Sequence, residues 1–181
     1  MPSPSLPPIG PRMTSLATAA RTPITLPAFR KVIWLMPAAY VLHIVEEYTG
    51  NFPGWVDDDV HGTFNFFGFD LNNIMFMVIL VALVTLNFRR PSKVTATALV
   101  AFASANLFWD ALFHIGMTAI LNRYSPGLVT AALLYLPITL IVATVVLKNH
   151  ILSVRRFVLA AAGGAVLFAF VVWYGLFHFA V

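Results

Sequence analysis

The sequence predicts an all-α fold, a polytopic membrane bundle of about five transmembrane helices, and three observations carry the prediction. First, 60% of the 181 residues are hydrophobic and only 10% are charged, well outside the composition of a soluble globule. Second, apolar stretches of about 20 residues recur along the chain. That length crosses a hydrocarbon core with every backbone N–H and C=O satisfied inside its own helix. Third, the charges are sorted by side. Arg12, Arg21, Arg30, Lys31, Arg89, Arg90, Lys93, Lys148, Arg155 and Arg156 fall on one side of the predicted spans and only Arg123 on the other.

Residues 1–30 carry Pro2, Pro4, Pro7, Pro8, Pro11, Pro23 and Pro27 among scattered Ser and Thr. They lack the apolar core of a secretory signal and read as a flexible cytoplasmic tail in which Met13 offers an alternative start to Met1. Residues 31–181 read as the membrane domain. The first span is expected at about Val32 to Tyr48, with Pro37 as a first-turn or kink residue. An extracytoplasmic loop follows at about 50–71. It holds Gly50, Pro53, Gly54, the run Asp57-Asp58-Asp59, His61 and the aromatic stretch Phe64 to Phe69, and a loop of this length reads as functional or mobile, with a lid at the interface as one option. The remaining spans are expected at about Asn72 to Phe88, Val94 to Leu121, Leu128 to Leu147 and Phe157 to Phe179. Pro137 marks a kink, and the small residues Ala160 to Gly164 mark close helix packing. By the positive-inside rule the amino terminus is cytoplasmic and the carboxyl terminus extracytoplasmic, in an integral, bacterial inner-membrane setting.

There is no cysteine, so disulfides, thiolate metal sites and cysteine nucleophiles are excluded. A metal would need His, carboxylate or carbonyl ligands. No flavin, nicotinamide or haem motif is present. The net charge of +4 reflects membrane topology, and no nucleic acid partner is expected. The expected partners are membrane lipid and an apolar small-molecule substrate; nothing in the pattern sets an oligomeric state.

The chemistry concentrates in the outer halves of the spans. On the first, His43, Glu46 and Glu47 stand at i, i+3 and i+4 and share one helical face. On the third, Asn106, Asp110 and His114 follow at intervals of four, drifting by only about 40° per step. Asn72 and Asn73 open the second span at the same depth, and Trp173, Tyr174 and His178 close the fifth. Each intramembrane carboxylate costs about 3 kcal/mol on insertion scales. No Lys or Arg lies in the outer half of any span, so protons, protonated His or a bound cation must balance Glu46, Glu47 and Asp110. A divalent metal (zinc, iron or manganese) does this directly, with His43, Glu46 or Glu47, Asp110 and His114 as ligands. Mutual elevation of carboxylate pKa values is the competing explanation. Packing alone also accounts for some such groups: His178 reads first as an interfacial residue, His150 as solvated, and Asn106 equally as an interhelical hydrogen-bonder or a supporting residue.

At His43-Ile44-Val45-Glu46-Glu47 the chain resembles the HXXEE family of membrane proteins, whose further hallmarks are another histidine and a Y-x-P-G motif. These correspond to His114 and Tyr124-Ser125-Pro126-Gly127 here, in the same order, over about residues 32–150. The resemblance nominates residues and implies no particular reaction. The Y-x-P-G segment falls between the third and fourth spans, where Pro126 and Gly127 suit a tight outer turn.

Three function classes follow. The favoured one is a metal-dependent membrane enzyme acting on a lipid or apolar substrate, a hydrolase ahead of an oxidative metalloenzyme. Its metal would be held by His43, Glu47, Asp110 and His114, Glu46 or Glu47 would be general base, and Tyr124 or His178 would stabilise an oxyanion. In that reading Asn72, Asn73, Asn106, His178, Trp173 and Tyr174 support the site or contact substrate. The second is a metal-free acid–base isomerase or cyclase of an isoprenoid-like substrate, with aromatic faces sheltering a cation. The third is a metal- or proton-binding transporter or an accessory membrane protein, although no internal repeat supports transport.

Overall fold

The structure, a computed structural model, describes residues 26–178; residues 1–25, with the proline-rich tail and Met13, and residues 179–181 lie outside the described part. The described residues contain helices and turns and no strand. Helices α1 (Leu26–Val32) and α2 (Leu35–Thr49) are joined by a turn in which Trp34 N–H donates to Lys31 O at 3.3 Å and Met36 N–H to Ile33 O at 3.3 Å. Pro37 sits in the first turn of α2, where its missing N–H is tolerated. Together they form an apolar segment, Ala28–Thr49, that is long enough to cross a membrane. The last residues of the expected tail, 26–30, are therefore helix.

A short helix, α3 (Phe52–Trp55), is capped by Asn51, whose side chain accepts from Gly54 N–H at 3.3 Å. A π-helical turn, Val56–Val60, follows and is ended by His61 at φ 57°. Helix α4 runs Phe66–Arg89, six residues earlier than the expected start at Asn72. The reason is local: Asn65 is extended and its side chain accepts from Gly68 N–H at 2.8 Å, so an aromatic stretch that reads as loop becomes the first turn of a capped helix. Asn72 and Asn73 thus lie in the second turn, and the intervening loop is shorter and more structured than 50–71. Helix α5 is Lys93–Leu121, entered through a Ser92–Thr95 capping box. Helix α6 is Leu128–Lys148 and α7 is Val154–Leu176, three residues earlier than expected. Three of these long helices contain a π-helical turn: Ser104–Trp109 in α5, Ala131–Tyr135 in α6 and Val172–Leu176 in α7.

Five segments of this length and apolarity make an all-α membrane bundle. Their outward residues are apolar, as lipid contact requires: Val41, Leu42 and Val45 on α2, Ile74 and Val78 on α4, and Leu159, Val166 and Phe170 on α7 are all exposed. Inside, α7 packs tightly on α5. A Cβ on Gly164 would come within 1.9 Å of Ser104 Oγ and 2.5 Å of Ala101 O, so only glycine lets the backbones approach this closely. Trp109 Nε1–H donates to Ala161 O at 2.9 Å across the same contact. Between α4 and α5, buried Asn87 donates to Leu83 O and Thr95 O, both at 2.9 Å, and so ties the hairpin.

The connectivity places the end of α2, the start of α4, the end of α5, the start of α6 and the end of α7 together at one end of the bundle. A second apolar cluster closes that end: Phe52, Trp55, Val56, Phe64, Phe69 and Leu176 are buried against one another. The loop is fastened by Thr63 N–H donating to Leu176 O at 2.7 Å and by an ion pair between Arg123 and Asp59. Gly62 lies so close to α7 that a Cβ there would meet Leu176 O at 2.5 Å.

Candidate metal centre

At this closed end, His43 and Glu47 from α2 and Asp110 and His114 from α5 converge. Both imidazoles are fully buried, and Glu47 nearly so. His43 Nε2 lies 3.5 Å from Glu47 Oε1 and 3.2 Å from Asp110 Oδ2; His114 Nε2 lies 3.4 Å and 3.7 Å from the same two atoms. Neither Nε2 has a partner in hydrogen-bonding geometry. Two buried ring nitrogens thus face two carboxylate oxygens across a small shared space, an arrangement costly for neutral imidazoles and ionised carboxylates alone. His43, Glu47 and His114 offer one ligand atom each, all within 4.8 Å of one another. Tetrahedral zinc with bonds of about 2.0–2.1 Å requires ligand atoms about 3.3 Å apart, close to the 3.5 Å and 3.4 Å that separate Glu47 Oε1 from the two Nε2 atoms. The residues present therefore fit a divalent cation.

The opposite nitrogen of each ring is held. His43 Nδ1 is 2.8 Å from Thr130 Oγ1, and His114 Nδ1 is 2.9 Å from buried Ser125 Oγ. The Thr130 hydroxyl donates its single proton to Glu46 Oε2. Its oxygen must then accept from His43 Nδ1–H, which leaves the lone pair of neutral His43 on Nε2, directed at the shared space. This is the tautomer a metal-ligating histidine needs, fixed by a hydroxyl that is itself fixed by a carboxylate.

Glu46 and Glu47, adjacent in sequence, point about 100° apart around α2 and into different surroundings. Glu46 reaches the start of α6 and accepts from Val129 N–H at 2.9 Å, Thr130 N–H at 2.7 Å, the Thr130 hydroxyl and the Tyr124 hydroxyl. A carboxylate on the exposed N–H groups of a helix start satisfies both partners. Tyr124 lies outside the spans, and its phenol is pushed up to about 12, first by partial burial and then by the Glu46 carboxylate that it bonds. Its hydroxyl serves Glu46 rather than overhanging the buried cluster.

A profile described as "Protein of unknown function with HXXEE motif" matches residues 34–142. The chain belongs to the HXXEE family. No curated protein and no solved structure matches it. The HXXEE motif is His43, Glu46 and Glu47, and in this structure the Y-x-P-G segment packs against His43 and Glu46 and against His114 and Gly50. Tyr124 bonds Glu46, and Ser125 bonds His114. Pro126 packs where a Cβ on Gly50 would stand, at 2.8 Å. Gly127, at φ 104°, lies under both imidazoles: a Cβ there would come within 2.7 Å of His43 Cε1 and of His114 Cε1. A segment that reads from sequence as a turn is therefore the floor of the site.

A cavity of about 80 Å³ opens from the cluster and is lined by Glu47, Asp110 and Asn106 beside aromatic rings. Asn72 and Asn73 also line it; Asn73 is held by Tyr40 Oη–H at 2.8 Å and by donation to Phe69 O at 3.0 Å. Asn106 lines it while donating to Phe102 O at 3.2 Å. His178 is not brought in: it is exposed, its ring lies tilted against that of Trp173, and it is bonded to Trp173 O at 2.8 Å. Trp173 is likewise exposed, and Tyr174 lies on a neighbouring groove. Sequence reasoning missed Thr130, Ser125, Gly127 and Tyr135, whose ring lies 4.4 Å from that of His43. Ser125 and Gly127 were within reach, because both lie inside the motif; a lone threonine and tyrosine in apolar spans give no signal.

Proposed function

We propose that this HXXEE protein is a membrane-embedded, metal-dependent enzyme, a hydrolase, acting on a lipid or other apolar substrate at an outward-facing site. The observation that carries it is the pair of buried His Nε2 atoms turned toward Glu47 and Asp110 while both Nδ1 atoms are held by hydroxyls. His43, Glu47 and His114 hold the metal, which supplies Lewis acidity and an acidified water when bound. Asp110, the cluster member that keeps some exposure and lines the cavity, is assigned the proton of the attacking water at Oδ2 rather than the fourth ligand position. Glu46, its oxygens engaged by four donors, positions His43 and does not act as base. Asn72 and Asn106 offer polar contacts to a substrate head. The outward orientation rests on eight of the nine basic residues of the described part lying at the opposite side of the spans.

Elemental analysis of detergent-purified protein is the test. Stoichiometric zinc, iron or manganese that is lost in His114→Ala supports the reading. Metal-free protein that refuses reconstitution ends it. The second reading, metal-free isomerase or cyclase chemistry, draws on the aromatic walls of the cavity, among them Phe69, Phe76, Phe113 and Phe168, which suit a carbocation. Its activity would survive chelation.

A further inference from the structure

The closed end leaves open the question of how a substrate reaches the cluster. The loop fills that end with Phe52, Trp55, Val56 and Phe64, and the Arg123–Asp59 and Thr63–Leu176 contacts fasten it. On the flank, α4 and α7 each pack on α5 rather than on one another. An apolar groove of about 310 Å³ runs between them. It shares Phe64, Asn72, Phe76, Val171 and Gly175 with the cavity at the cluster, so the two adjoin across a common wall. Leu71, Met75, Phe170 and Tyr174 form its outer walls and are exposed where bilayer lipid would surround them.

Gly175 separates this seam from an ordinary helix contact. At Gly164 and Gly62 the missing Cβ is needed for close packing, whereas a Cβ at Gly175 would meet nothing within 4 Å. The glycine brings no backbones together; it leaves room at the junction of groove and cavity. From this we infer that the substrate is a lipid drawn sideways from the bilayer, with one alkyl chain entering the seam. Its chain lies between α4 and α7 and its polar head reaches His43, Glu47, Asp110 and His114. The assignment of the head rests on the metalloenzyme reading; the route rests on the seam alone. A water-soluble substrate would have to displace the loop, and a multi-chain lipid would leave its other chains outside in the bilayer.

The test uses the full chain in phosphatidylcholine nanodiscs, with palmitic acid carrying a mid-chain diazirine as probe and mass-spectrometric mapping of the adducts. Labelling is expected on the inner wall, at Asn72, Phe76 and Val171, beyond that on the lipid-facing residues Ile74 and Val78. Gly175→Phe, which fills open space, should reduce inner-wall labelling at least tenfold while melting temperature and zinc content hold. Leu71→Trp, from the opposite wall, should do the same and guards against a folding defect in the first variant. Inner-wall labelling unchanged in both variants, or labelling confined to Ile74 and Val78, overturns the route. Metal-free protein that refuses reconstitution yet still labels inside, and loses it in the variants, upholds the route and ends the metal reading. Zinc-loaded protein labelled only outside does the reverse.

Discussion

His43 Nδ1 and Thr130 Oγ1 lie 2.8 Å apart, and the proton between them belongs to the histidine, because the threonine has given its own to Glu46. The relay crosses from α2 to α6 and back, so the ring that faces the candidate metal is aimed by a residue 87 positions away.

Breaking that relay should weaken the site without destroying it. Thr130→Val removes the acceptor for His43 Nδ1–H and leaves Glu46 its other donors. Metal affinity, read by competition with a chelating dye, should fall about 10–100-fold, the usual cost of losing a supporting partner. Saturating metal should still bind at full stoichiometry, whereas His114→Ala should abolish stoichiometric binding. Equal affinity in Thr130→Val and wild type would remove the relay from the argument.

Gly127→Ala should be more damaging than its size suggests. The backbone is at φ 104°, a region that costs a non-glycine residue about 1–3 kcal/mol, and the new methyl would press on both imidazoles at 2.7 Å. Both melting temperature and bound metal should drop. Gly163→Ala, where nothing lies within 4 Å, should leave both in place.

Gly164 offers a paired check on packing alone. Its Cβ position meets Ala101 O at 2.5 Å, and backbone does not yield as a side-chain tip does. Gly164→Ala should therefore destabilise by about 1–3 kcal/mol, the range for overpacking, in denaturant-melt comparisons with Gly163→Ala. A neutral result would mean that α5 and α7 are less closely held than described.

The phenol of Tyr124, raised to about 12, should titrate later than an ordinary tyrosine in ¹³C-tyrosine spectra. Because its folded value lies above the unfolded one, its contribution to stability is complete below about pH 10 and is lost as pH rises toward 12. In Glu46→Gln the value should fall but stay above the ordinary one, since burial remains. An unchanged titration would detach Tyr124 from Glu46.

The spans were legible in the sequence because a hydrocarbon core imposes length and apolarity on every crossing segment, and α5 and α6 fall within a residue or so of expectation. The start of α4 was not, because Asn65 and Gly68 read as loop residues until the cap between them is seen. Within the site, His43, Glu47, Asp110 and His114 stood out through the cost of ionisable groups in lipid, and the structure gathers all four. The division between Glu46 and Glu47 did not, since adjacent residues on one helix differ only in what stands opposite them. Thr130 and Tyr135 were invisible because hydroxyls and rings are ordinary in membrane helices, and their role depends on how α6 meets α2.

The π-helical turn at Ser104–Trp109 makes α5 two helices spliced out of phase. Its first half is set to receive Gly164 of α7, and its second half, from Asp110, is set to face α2. Each inserted or deleted residue rotates everything beyond it by about 100°, so this one surplus residue acts as a dial between scaffold and chemistry. Removing it would swing Asp110 and His114 away from His43 and Glu47.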